Sequence, residues 1–294
     1  MGSRKGVKLR PTTEREKLRS LVLDLRKEGL SYNQIIAKIS DEHGATLRKS
    51  HISGWVNGKH SPFGSVRPFD PHPSPELAYV IGVKMGDASL STNRNHNYMI
   101  KLRVIDKEFA QEFSRCLSVI LRRGPPPVKW RDKTHSWYAG LSSLLLQSFL
   151  KKSLNELKQT IEYDDKCAAA FLRGFFDSEG WLYKVQFGVV NTNKEVLLYV
   201  SNLLTSKFAI VVGPPRVTSR GGRVVLIKGR FYRANKDCYD VPVDRASFVR
   251  YHEQIGFTIA RKRERLVAAI NELASKSPAI VKGVQNSCIW RNKG

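Results

Sequence analysis

LAYVIGVKMGDASL (Leu77–Leu90) and FLRGFFDSEGWL (Phe171–Leu182) are two apolar runs, each ending in small residues and carboxylates. Each has the length of about three helical turns. Two small residues stand four apart in each, Gly82 and Gly86 in the first, Gly174 and Ser178 in the second. Positions i and i+4 share one helix face, so each run carries a flat stripe poor in side chains. Such stripes let two helix backbones approach closely. Each stripe is followed at once by a carboxylate, Asp87 or Glu179, where the helix should end. A helix C-terminus carries partial negative charge and disfavours an anion. Two such helices packed side by side bring two anions to two negative helix ends, and a divalent metal is the simplest counter-charge.

The segments IGVKMGDA (Ile81–Ala88) and LRGFFDSEG (Leu172–Gly180) resemble the nine-residue motif of the LAGLIDADG homing endonuclease family. That resemblance implies an α+β fold of two pseudo-symmetric αββαββα halves. It implies that Asp87 and Glu179 bind the catalytic metal, with Ala88 and Ser178 beside them in the metal site. The implied cofactor is Mg²⁺, with Mn²⁺ able to substitute. The implied reaction is double-strand DNA hydrolysis across one minor groove, leaving short 3′ overhangs at a long target site, by a monomer acting as a pseudo-dimer. Three departures stand out. Ala88 replaces the motif glycine, Lys84 interrupts the apolar helix and is expected to snorkel outward, and Asp177 is expected to be a spectator.

The chain repeats itself around the two motifs. Gly174 follows Gly82 by 92 positions, Lys194-Glu195 follows Lys107-Glu108 by 87, and Gly213-Pro214-Pro215 follows Gly124-Pro125-Pro126 by 89. Offsets this similar indicate a tandem duplication. In the first copy Tyr98, Ile100, Leu102 and Val104 alternate with Lys101 and Arg103, which predicts a half-buried strand with a basic face. Helices are expected at 107–121 and 144–149, with a hairpin over 128–138. In the second copy Val185, Phe187 and Val189 alternate against Lys184 and Gln186, and helices are expected at 194 onward, 246–255 and 261–273.

Composition points to a polyanionic partner. The 294 residues hold 50 Lys and Arg against 26 Asp and Glu, a net charge of +24. Nucleic acid is the default partner for such a chain, and binding should weaken steeply with salt. No apolar run approaches the roughly 20 residues of a membrane span, and no signal-peptide layout opens the chain, so an intracellular, DNA-associated protein is expected. The cysteines (116, 167, 238 and 288) form no CxxC pair, which disfavours a zinc site or a disulfide framework.

Residues 12–60 read as three helices. Thr12 or Thr13 can cap the first, with Leu18, Leu21, Val22 and Leu25 on its buried face; Ser31 and Gln34 form a capping-box pattern opening the second. The third, near Ser50–Val56, follows a tight turn, and the unit resembles small resolvase-like helix-turn-helix domains. Its early polar residues Lys49, Ser50, His51 and Ser53 would then face the major groove, with Ile52 and Trp55 packed inward. Residues 61–75 contain five prolines and read as an extended linker. The expected domains are thus 12–60, the linker 61–75, one half at 76–165, the other at 166–275, and a flexible basic tail at 276–294.

The exposed strand residues Lys101, Arg103, Lys129, Arg131, Lys184, Gln186, Arg216, Arg220, Arg223, Lys228 and Arg230 are the candidate groove-lining set. Lys184 and Lys228 are the candidate cations for the transition state. Two alternatives share the fold: a DNA-binding transcriptional regulator and an RNA maturase.

Overall fold

A computed structural model describes residues 12–60, 69–92, 98–227 and 229–276. Lys228, Cys288, the basic tail beyond 276 and most of the proline-rich linker lie outside them, as do the side chains of Thr12, Thr13 and Arg230.

The chain opens with α1 (Thr12–Lys27), α2 (Tyr32–His43) and α3 (Lys49–Val56). Gly29, with φ of 90°, turns the chain after α1. Ser31 and Gln34 form the expected capping box on α2, and Gly44 ends it in the left-handed conformation. Leu18, Val22, Leu25, Ile35, Ile39, Leu47, Ile52 and Trp55 close one core, with Leu21 only partly buried against it.

Next come α4 (Pro75–Met85), β1 (Ser89–Thr92), β2 (Tyr98–Val104), α5 (Lys107–Ile120), β3 (Lys129–Arg131), β4 (Ser136–Ser142) and α6 (Leu144–Leu150). Then α7 (Leu154–Ile161) leads into α8 (Asp165–Glu179). The second copy continues as β5 (Gly180–Tyr183), β6 (Gln186–Asn191), α9 (Lys194–Phe208), β7 (Arg216–Ser219), β8 (Val224–Ile227), β9 (Arg230–Arg233), β10 (Cys238–Pro242), α10 (Phe248–Gln254) and α11 (Ala260–Lys276).

The duplication is visible in the topology. One four-stranded sheet has the order β1-β2-β4-β3 and the other β5-β6-β10-β7, the same pattern when each strand is matched to its counterpart. The second copy differs by an inserted two-stranded ribbon, β8-β9. The whole is an α+β architecture with two αββαββα halves.

The described residues fall into two compact units. One gathers α1–α3 with residues 69, 91, 92, 98, 99 and 142–148, and the other holds 70–90, 100–141 and 149 onward. The core of the second unit is built around α4 and α8. Leu77, Val80, Ile81, Val83, Phe171, Leu172, Phe175 and Phe176 are all fully buried there. Phe187, Tyr251 and Phe257 extend this core as an aromatic cluster with Phe176.

Candidate metal and nucleic-acid site

The helix α4 starts at Ser74, whose hydroxyl accepts from the Leu77 amide, with Pro75 in the first turn. The helix α8 starts at Asp164, whose carboxylate caps the Cys167 amide. Both are apolar nearly all round and pack against each other through the small residues. A Cβ on Gly82 would be driven into the Phe171 carbonyl and stand 2.9 Å from the Phe175 amide nitrogen. A Cβ on Gly174 would strike the Tyr79 carbonyl. A Cβ on Gly86 would strike Ser178 and come within 3.0 Å of the Glu179 Cγ. The backbones therefore touch along the expected stripe, and both helices reach their C-terminal ends at the same place.

Asp87 and Glu179 meet there. Asp87 follows α4 by two residues, and Glu179 is the last residue of α8. Asp87 is open to solvent on one side and Glu179 is half-buried. Burial, and then the charge of Asp87, push Glu179 up to about 7. Burial also raises Asp87, an effect opposed by the nearby Lys262 ammonium. Of the other two positions, Ser178 donates its hydroxyl to the Gly174 carbonyl at 3.1 Å. Ala88 is buried, and its amide closes the turn onto the Val83 carbonyl at 2.9 Å without a left-handed φ. Among the described residues no group of three or more His, Cys, Asp or Glu side chains is arranged to hold a metal.

Beneath the pair lies an exchange of caps between α8 and α11. Asp177, 2 % exposed, accepts from the Tyr79 hydroxyl at 3.0 Å and from the amides of Thr258 (3.0 Å) and Ile259 (3.4 Å). In return Lys262 of α11 donates to the carbonyls of Phe176 and Asp177, at 3.0 and 2.6 Å. Burial raises Asp177 to about 6 and lowers Lys262 to about 8. Asp177 is thus no spectator: it docks the start of α11 to the end of the motif helix.

The sheets carry the basic candidates. In β2, Ile100, Leu102 and Val104 are buried, and Lys101 and Arg103 lie on the opposite face. Lys129 and Arg131 of β3 are exposed; Lys129 pairs across from Tyr138, and the Arg131 guanidinium lies over the Tyr138 ring at 5.1 Å. In the second sheet Gln186 and Arg216 are exposed; Arg220 and Arg223 are exposed too but are not strand residues as expected, because the chain turns through Gly221-Gly222 between β7 and β8. Arg216 is tied at 2.9 Å to Asp240, a buried carboxylate that also receives the Trp181 indole N–H at 2.7 Å. Trp181, Gln186 and Arg216 edge an open concavity of about 520 Å³. Lys184 is not a strand residue: it occupies the turn between β5 and β6 with φ of 51°. The lysine whose charge acts on both Asp87 and Glu179 is Lys262 and not Lys184.

A family model described as a LAGLIDADG-like domain matches residues 166–256. The uncharacterized protein MJ0398 of Methanocaldococcus jannaschii is 34 % identical over 248 residues, covering 83 % of this chain and 90 % of that protein. The chain belongs to the LAGLIDADG-like family.

Other similarities are more distant. The uncharacterized protein MJ0314 of the same organism is 30 % identical over 138 residues, 43 % of this chain and 52 % of that one. A crystal structure of I-DmoI in complex with DNA and Ca is 14 % identical with a TM-score of 0.48, covering 66 % of this chain and 97 % of that one. Full-length DUF199/WhiA from Thermatoga maritima is 15 % identical with a TM-score of 0.44, covering 75 % of this chain and 69 % of that one.

Within the LAGLIDADG framework two details are now placed. Lys84 is half-buried, and burial lowers its proton affinity. In the three-helix unit Lys49, Ser50 and His51 are exposed on the first turn of α3, whereas Ser53 is half-buried and accepts from the Asn57 amide group at 3.1 Å. The residue that sequence reasoning missed is Lys262. Its signal is phase: it shares one face of α11 with the buried Leu266 and Ala269.

No helix among the described residues is long and apolar enough to cross a membrane.

Proposed function

We propose that the protein is a site-specific double-strand DNA endonuclease that uses a divalent metal held by Asp87 and Glu179. The observation that carries this reading is the meeting of those two carboxylates at the joined ends of α4 and α8. Hard divalent cations select carboxylate oxygen. A carboxylate pair in which one member raises the proton affinity of the other carries excess negative charge that such an ion cancels. The donor set therefore fits Mg²⁺, with Mn²⁺ as a substitute; Ala88 and Ser178 flank it and shape the turn. When bound, the metal would polarise a scissile phosphate and stabilise the leaving 3′-oxygen.

The remaining work belongs to the chain's own residues. Lys101, Arg103, Lys129 and Arg131 on one sheet, with Arg216 on the other and Arg220 and Arg223 in the turn that follows it, supply the positive surface that positions phosphates. Gln186 and the oriented Arg216 are suited to base edges, Gln toward adenine and Arg toward guanine. Residues 12–60 serve as a helix-turn-helix module whose Lys49, Ser50, His51 and Ser53 lengthen the recognised site. The protein acts as a monomer, each half standing in for one subunit, and leaves short 3′ overhangs.

The test is digestion of source-genome DNA lacking the host element, with Mg²⁺, beside an EDTA control and the Asp87→Ala/Glu179→Ala double variant. A metal-dependent double-strand break, absent in the variant, is expected. Tight DNA binding without a cut under any divalent metal would overturn the reading in favour of a DNA-binding regulator.

A further inference from the structure

Among the described residues Lys262 is the one lysine or arginine whose side chain is buried, at 7 % exposure. Burying an ammonium is costly unless its charge is compensated. The two carbonyls of the last turn of α8 take two of its three donors. Those hydrogen bonds alone do not call for a charge. The carboxylates gathered around it do: Asp177, whose own carbonyl it bonds, Glu179 two residues further along the same last turn of α8, and Asp87, which the contact of Gly86 with Glu179 holds beside that turn. The clasp is reciprocal, because Asp177 caps the chain entering α11 while Lys262 caps the exit of α8.

We propose that Lys262 is a positioning residue of the metal site: it fixes the last turn of α8, on which Glu179 is carried, and acts as resident counter-cation to the Asp87–Glu179 pair when no divalent ion is bound. The assignment rests on the reading of that pair as metal ligands. It separates two roles that a capping lysine ordinarily merges. The hydrogen bonds set where Glu179 sits. The charge lets two carboxylates share a small space without metal, and it competes with the metal for them.

The experiment is thermal unfolding of the full chain in EDTA and in Ca²⁺, for wild type, Lys262→Met, Lys262→Gln and Asp177→Asn. Lys262→Met keeps the aliphatic bulk and removes both donors and charge; Lys262→Gln retains two N–H donors without charge. Both are expected to melt lower than wild type in EDTA. Both should regain stability in Ca²⁺, with a metal-induced shift larger than wild type's by about 3 °C or more. Adding Glu179→Gln should abolish that shift. Asp177→Asn keeps the oxygen that caps the chain entering α11, removes one carboxylate charge and leaves the ammonium in place, so its Ca²⁺ shift should not exceed that of wild type. Equal Ca²⁺ shifts in wild type and both Lys262 variants would overturn the counter-cation role and leave a helix cap only, with the metal site intact. No shift in any protein would overturn the metal site itself, and the proposal with it.

Discussion

Gly86 lies against Glu179, so that a Cβ on residue 86 would stand 3.0 Å from the Glu179 Cγ. Since Asp87 is the next residue after Gly86, this contact is what brings the two acids together from separate halves of the chain. The missing side chain is therefore a condition of the site as well as of the packing.

The same close approach makes the stripe intolerant. Gly82→Ala places a methyl group inside contact distance of main-chain atoms of Phe171 and Phe175, which cannot move aside as a side chain would. A loss of about 3 kcal/mol is expected in chemical denaturation. Gly124→Ala, where an added Cβ meets nothing within 4 Å, should change stability by no more than about 0.5 kcal/mol.

Removing either acid should separate binding from cleavage. Asp87→Asn and Glu179→Gln each leave the basic sheet faces untouched, so affinity for target DNA should hold in a mobility-shift assay. Cleavage should fall by roughly 100-fold or more, the scale of losing a preorganised electrostatic stabiliser. Unimpaired cutting by either variant would show that the scissile chemistry lies elsewhere.

The raised proton affinity of Glu179 has a sign that can be checked. Its folded value, about 7, lies above the ordinary carboxylate value of 4.5. Between those values the folded state binds more protons than the unfolded chain, so metal-free stability from this group declines as pH rises through that window. Glu179→Gln should flatten the decline between about pH 4.5 and 7. Metal binding should show the opposite trend, strengthening up to about pH 7 as the carboxylate ionises.

Salt dependence reads the sheet faces. Neutralising Lys101, Arg103, Lys129 or Arg131 should weaken DNA binding and lower the slope of log K against log salt by about 1 for each true phosphate contact. Arg216→Gln should instead change base preference at one position, because Asp240 already orients that guanidinium. Footprinting of a chain lacking residues 1–70 tests the three-helix unit. A shorter footprint and weaker binding are expected, and an unchanged footprint would remove that unit from recognition.

Much of this was legible because the decisive signals are local. Gly82, Gly86, Gly174 and Ser178 announce a close helix pair by spacing alone, and Ser31 with Gln34 announces a cap. The alternation in Tyr98–Val104 marks a strand directly. The helix Leu154–Ile161 was equally readable from Ser153 and Glu156, which form a capping box, but it falls outside the duplicated pattern that guided the reading. Lys184 misled because alternation continued through a turn: Lys184 and Val185 keep the period of two while the backbone reverses. Lys262 was hidden for a different reason. It stands among Arg261, Arg263 and Arg265, and only the docking of α11 on the end of α8 selects which cation is buried. The phase of Leu266 and Ala269 marks Lys262 as lying on the buried face, but only that docking shows what the ammonium meets there.

The placement of the acids also settles how long the site lasts once formed. Glu179 ends α8, and Asp87 stands in the short turn that directly follows α4; those two helices form the buried centre of their unit. Separating them means parting α4 from α8, and with them the whole aromatic and aliphatic interior. The proposed centre is thus expected to come apart only with the fold that carries it.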